Sequence, residues 1–159
     1  MALVKGTNAY CTVAEANTYF ADRLDVAAWN IATPEEKAQA LVTAHNYLED
    51  LRWVGVAISE DQPSAFPRTA TYFDPRLGTV VYIVNETPDR VVRGSMELAH
   101  HFLENDSVLD STGSVSNITI DGAVTLTGIK TPAVIPPIVK RIIRPLLING
   151  GGYAVWRAN

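Results

Sequence analysis

Three imidazoles, one thiol and a few neighbouring carboxylates are the groups in this chain that could do catalytic or metal chemistry. His100 and His101 are adjacent, so on a helix their rings diverge by roughly 100° and cannot share one metal ion. His45 and Cys11 lie far from them in sequence, at none of the spacings that zinc sites use. Gly94-Ser95 falls inside a helical pattern, not on the strand-to-helix turn of a Gly-x-Ser-x-Gly nucleophile. Gly150-Gly151-Gly152 lacks the lysine and following helix of a phosphate-binding loop and reads as a flexible joint. Glu35, Glu36 and Asp50 are the nearest approach to paired carboxylates for acid–base work. A helix first turn and a solvated face account for them more simply. The expectation is no catalytic residue, no metal ligand and no cofactor.

Binding chemistry is better represented. Lys140, Arg141 and Arg144 form the one local basic cluster. On a helix, 140 and 144 share a face and 141 lies alongside. Two accounts stand: favourable placement near a helix C-terminus, or contact with DNA or an acidic partner surface. Three charges supply weak, strongly salt-dependent DNA affinity. Tyr153, Val155, Trp156 and Arg157 follow the glycine joint, where aromatic residues serve as interface anchors. The alternative is that this tail folds back on its own domain. Trp53, Phe66, Pro67 and Arg68 read as a structural clamp: Pro67 fixes the backbone, Phe66 plugs the core, and Arg68 is left to pair with an acidic neighbour.

These residues need elements to hold them. The chain has 159 residues and 47% apolar content, enough for one domain with a sizeable core. A net charge of −4 counts against a dedicated nucleic-acid binder, and a single cysteine fits a reducing cytoplasm. No apolar run approaches the roughly 20 residues that span a bilayer, and no signal peptide is expected.

Thr12-Val13-Ala14-Glu15 is a capping box, followed by Val13, Ala16, Phe20 and Leu24 at helical spacing, which predicts a helix near 13–23. The segment 25–32 is expected to deliver Trp29 to the core. Thr33-Pro34-Glu35-Glu36 starts a second helix over about 34–51, with Ala40, Leu41, Ala44, Leu48 and Leu51 as its buried stripe. From Arg52 to Glu86 the helical period is lost. The β-branched run Thr79–Val84 reads as a short strand or an extended loop.

Thr87-Pro88-Asp89 opens a helix over about 88–104, and Pro136-Pro137 opens a last one from Ile138 to about Leu147, which Pro145 should end. Between them, over about 114–128, Ile118 and Ile120, then Val124 and Leu126, alternate with polar residues around Asp121-Gly122. That pattern predicts a hairpin with a two-residue turn. The fold class expected is mainly α: a bundle of about four helices with an inserted β-hairpin. The domain would span 1–148, with a C-terminal docking tail over 149–159.

The order of these motifs resembles a family of tailed-bacteriophage proteins, over nearly the whole chain. The resemblance is carried by Tyr10–Phe20, the Trp29 segment, Lys37–Leu51, Leu51–Gly55 and Phe66-Pro67-Arg68, then by the Pro88 helix, the hairpin, and Leu146–Gly152 with Arg157. Its architecture is similar to the head–tail connectors, or adaptors, of the virion neck. Members are also described as DnaT-like single-stranded DNA-binding proteins. The resemblance implies a ring, commonly of twelve copies, joining the portal protein to tail or nozzle proteins. Genomic DNA would pass through it without sequence-specific binding and without any membrane. In such a protein, made in the bacterial host cytoplasm and placed in the virion, Tyr153, Val155, Trp156 and Arg157 would dock on the portal. Ile118, Ile120, Val124 and Leu126 would contact neighbouring subunits or the tail. The alternative is a replication accessory that binds single-stranded DNA.

Overall fold

The computed structural model describes residues 2–105, 117–120, 124–127 and 135–148. Both capping boxes form. Thr12 Oγ1 accepts from the Glu15 N–H at 3.2 Å while Glu15 Oε2 accepts from the Thr12 N–H at 2.8 Å, starting α1 (Val13–Ala21). Thr33 and Glu36 repeat the arrangement at the head of α3 (Pro34–Glu49). Between them α2 (Ala27–Ile31) delivers Trp29 to the core, where its ring packs on Phe20 at 4.6 Å.

The segment where the helical period fails is a sheet. β1 (Val56–Ala57), β2 (Arg68–Asp74) and β3 (Thr79–Glu86) pair antiparallel in that order, with Thr71 opposite Tyr82 and Phe73 opposite Val80. Helix α4 (Asp89–Glu104) follows and packs against α3, α5 (Pro137–Ile143) and α2. A second, two-stranded sheet comprises β4 (Asn117–Ile120) and β5 (Val124–Thr127). The expectation of a mainly helical bundle with one hairpin is corrected by these strands: the described residues form five α-helices and a three-stranded antiparallel sheet, a mixed α/β fold. The run Thr79–Val84 is a strand, not a loop, because Val81 and Ile83 turn inward while Val80, Tyr82 and Val84 turn outward. Its partner β2 was hidden by an inward face made of Ala70, Tyr72 and Asp74, which has no apolar signature. The hairpin register differs by one residue as well. Ile120 pairs with Val124, which leaves three residues between the strands where a two-residue turn was expected.

The core joins Phe20, Trp29, Leu41 and Leu48 to Phe66, Ile83, Leu98, Ile143 and Leu146. Phe66, 2% exposed, wedges edge-on between Trp53 (ring centroids 5.1 Å apart) and Tyr10 (6.1 Å), and its bond to Pro67 is cis. Trp53 Nε1 donates to the Leu48 carbonyl at 2.9 Å. Arg68 was expected to meet a carboxylate. Instead its guanidinium donates to the backbone carbonyls of Val54, Gly55 and Ala65, at 3.1, 2.9 and 3.2 Å. These bonds tie the turn before β1 to the start of β2. Gly55 itself has φ +76°, and a Cβ there would collide with Thr69 and Ala70.

Helix α5 ends as Pro145 requires, in a 3-10 turn over Arg144–Leu146. Its exit is stitched to the strand-like segment at Trp53: Val54 N–H bonds the Leu146 carbonyl at 2.9 Å and Ile148 N–H bonds the Arg52 carbonyl at 2.8 Å. Gly94 of α4 lets α5 approach closely, since a Cβ there would lie 2.6 Å from Ile143 Cγ2.

One ion pair joins these parts. Asp74, buried at the end of β2, receives Arg90 Nη2 from α4 at 2.8 Å and the Arg76 N–H at 2.8 Å. Arg90 Nη1 also donates to the Ile142 carbonyl of α5 at 3.1 Å. Burial alone would raise the Asp74 carboxyl, but the Arg76 N–H and Arg90 outweigh it and hold it below the ordinary carboxylate range.

Replacing Phe66 with alanine should cost about 3–5 kcal/mol, as for other fully buried aromatic rings. Chemical denaturation measures it, and a near-neutral result would mean the ring does not carry the packing. For Asp74 the folded pKa lies below the unfolded one. Its stabilisation is therefore complete above about pH 4 and lost as pH falls through the depressed value. Asp74→Asn should lower Tm at neutral pH and flatten the acid limb of the Tm–pH curve. Parallel curves for the two proteins would show that this pair does not govern acid stability.

Candidate nucleic-acid interface

Helix α5 is amphipathic by alternation of type. Val139, Ile143 and Leu146 are buried against α4 and the sheet, so Lys140, Arg141 and Arg144 project outward and are exposed. On β2 the two-residue period sends Ala70 and Asp74 inward and Phe73 outward, 57% exposed. The end of β2 and the 3-10 turn after α5 meet, and a cleft of about 460 Å³ opens there. Phe73, Pro75, Arg141, Arg144, Pro145 and Leu147 line it. A second cleft, of about 480 Å³, lies across α5 and is lined by Leu51, Ile135, Lys140, Arg141, Arg144 and Leu147 among others. Arg141, Arg144 and Leu147 line both.

None of the three cations has a carboxylate partner among the described residues. The sequence pattern thus placed the charges on one helix. It missed Phe73, whose role depends on the pairing of β2. An exposed ring beside two unpaired guanidiniums can stack a flat π-system and hold an anion next to it.

The other groups singled out by residue type fall elsewhere. His100 is buried against Phe20 (5.5 Å between centroids). Burial first, then the Arg23 charge, lowers its pKa, which keeps the ring neutral. Cys11 is fully buried, and burial pushes its thiol up to about 11, against a hydrogen bond with Ser95 that lowers it. Glu97, also buried, accepts from Arg23 Nε at 2.8 Å and from the Tyr19 hydroxyl at 2.7 Å, and anchors α1 on α4. Among the described residues no three His, Cys, Asp or Glu side chains gather as metal ligands do.

A buried polar network went unseen in the sequence. His45 Nε2 lies 2.9 Å from Ser64 Oγ and 3.5 Å from Glu49 Oε1, and Glu49 also accepts from the Tyr10 hydroxyl and the Ala65 N–H. The residue types are those of a hydrolase triad, but the geometry is not. Glu49 approaches the same ring nitrogen as the serine, leaving His45 Nδ1 without a partner. Ser64 Oγ is 4% exposed at residue level and lies 3.2 Å from the Thr7 carbonyl, to which its hydroxyl donates. A triad instead sets its carboxylate on the ring nitrogen that faces away from the serine. The network fastens the N-terminal segment and the residues before Phe66 to α3.

Ile118 is registered against Leu126, and Ile120 against Val124. What those side chains touch, like Tyr153, Val155, Trp156, Arg157 and the whole tail over 149–159, lies outside the described residues.

No curated protein and no solved structure matches the chain. A family model does match, over residues 2–158, and it is described as "Putative DnaT-like ssDNA binding protein". With that match running over essentially the full sequence, this chain belongs to the DnaT-like single-stranded DNA-binding family.

Proposed function

We propose that the protein binds single-stranded DNA, as an accessory protein without sequence preference, in the cleft between β2 and α5. The observation that carries this reading is the exposed Phe73 ring sharing a cleft with the unpaired guanidiniums of Arg141 and Arg144. A base stacks on Phe73, and the flanking phosphates take Arg141, Arg144 and Lys140. Stacking tolerates any base, and a platform of this kind contributes about 1–3 kcal/mol per base. Among the described residues the cleft lining offers cations and apolar surface but no carboxamide or carboxylate for an adenine or cytosine edge. The family description supports the same reading.

Fluorescence anisotropy with a labelled oligothymidylate tests it. Binding at low salt should weaken with a log–log slope near −2, as three phosphate contacts at about 0.7 each require. Phe73→Ala should weaken it about 5- to 150-fold, and neutral replacements at Lys140, Arg141 and Arg144 should abolish it. No binding at low salt removes the reading.

A second reading, a ring-forming head–tail connector of the virion neck, is favoured by the outward sheet face. Val56, Val80, Tyr82 and Val84 are all more than half exposed there, an apolar surface of the kind that marks assembly. In this reading residues 153–157 dock on the portal, and the copies surround the passing genome. Deleting residues 153–159 should then block incorporation into particles. Normal incorporation of the truncated chain, or failure of the intact protein to copurify with tailed particles, would remove it.

A further inference from the structure

The two edges of the three-stranded sheet are not alike. β1 offers only two residues, Val56–Ala57. β3 offers eight, and among the described residues nothing pairs with its outer side. Long edges are usually guarded by a proline, a lysine, an inward charge or a bulge. Thr79–Ile83 has none of these. The irregularity of the strand, opposite Thr69, takes in Val84 and Asn85 near its end, where Asn85 has φ +53°. The chain is also uncharged from Leu77 to Asn85, with Arg76 in the turn before the strand and Glu86 as its last residue.

Those end charges are available. Arg76 is 76% exposed, with its guanidinium 3.8 Å from an Asp74 carboxylate that Arg90 and a backbone N–H already engage. Glu86 is exposed and has no partner among the described residues. Two such strands laid antiparallel bring each Glu86 to the turn that carries the other copy's Arg76, at the start of its β3. Laid parallel, they would set like charges together.

We infer that β3 is a self-complementary edge, through which a second copy of this chain adds to the sheet antiparallel, in a register centred on Val81. Val80 of each copy then faces Tyr82 of the other, and the apolar outer faces run together. The contact is two-fold and closed, unlike the head-to-tail contact of a ring. It depends on neither functional reading above, and the Phe73 cleft remains open in it.

Sedimentation velocity of the full chain over a concentration series should find a monomer–dimer equilibrium. Val80→Lys/Tyr82→Lys, which places like charges opposite one another through side chains the monomer leaves exposed, should give monomers with unchanged circular dichroism. Arg76→Glu should raise the dissociation constant at least about ten-fold, and adding Glu86→Arg should restore it. A wild-type chain that stays monomeric at its highest soluble concentration overturns the inference. So does an oligomer indifferent to the lysine pair, because another surface then holds it. Failure of the charge swap to rescue overturns the antiparallel arrangement.

Discussion

Arg90 is the joint on which the remainder of the structure turns. One guanidinium from α4 meets the Asp74 carboxylate at the end of β2 and the Ile142 carbonyl in α5. A buried carboxylate without such a partner would be costly, so the last residue of β2 is held to the head of α4. The same group fixes α5 along its length. Phe73 directly precedes Asp74, and Arg141 directly precedes Ile142. The two walls of the candidate cleft are therefore positioned by a single cation that does not itself line it. Stability and site geometry are coupled through one residue.

The second constraint is the accounting of backbone polar groups in the irregular segment from Leu51 to Pro67. With little regular pairing there, its carbonyls and N–H groups need other partners. Arg68 supplies three donors to Val54, Gly55 and Ala65, and Gln62 bridges Ile58, Ser59 and Pro67. The segment at Leu146–Ile148 supplies two more bonds. Phe66 gives the same segment its apolar anchor. Arg68 is committed to structure, which leaves the cations of α5 as the unpaired ones beside the cleft.

What the sequence made legible follows from the range over which each cause acts. Helix starts are local: Thr12 with Glu15 and Thr33 with Glu36 satisfy each other's backbone within one turn, so the pattern and the structure agree. The stop at Pro145 is local too. Strand β2 is not. Its inward face is an alanine, a half-buried tyrosine and an aspartate, and that face is tolerable only because Arg90 arrives from sixteen residues later. For the same reason the cations of the site could be read from helical spacing, while no local pattern singled out Phe73. Its exposure is a property of strand register, not of composition. The buried His45–Ser64–Glu49 cluster was invisible because it joins α3 to a loop with no period.

The net charge of −4 argued against nucleic acid, and its weight changes once charges have positions. Fields from exposed groups fade over a Debye length of about 8 Å at physiological ionic strength. What a phosphate meets is therefore the local set, not the sum. Glu15, Glu35, Glu36 and Glu49 belong to α1 and α3, whereas Lys140, Arg141 and Arg144 stand together on α5 and the turn after it, with no carboxylate partner among the described residues. The overall acidity still matters at long range, where it slows approach and discourages non-specific binding to duplex DNA. An acidic body with one small cationic, aromatic cleft favours a flexible strand that can bring a base to Phe73 and its phosphates to the arginines. A rigid duplex, with its bases stacked away, would meet the charges without the ring.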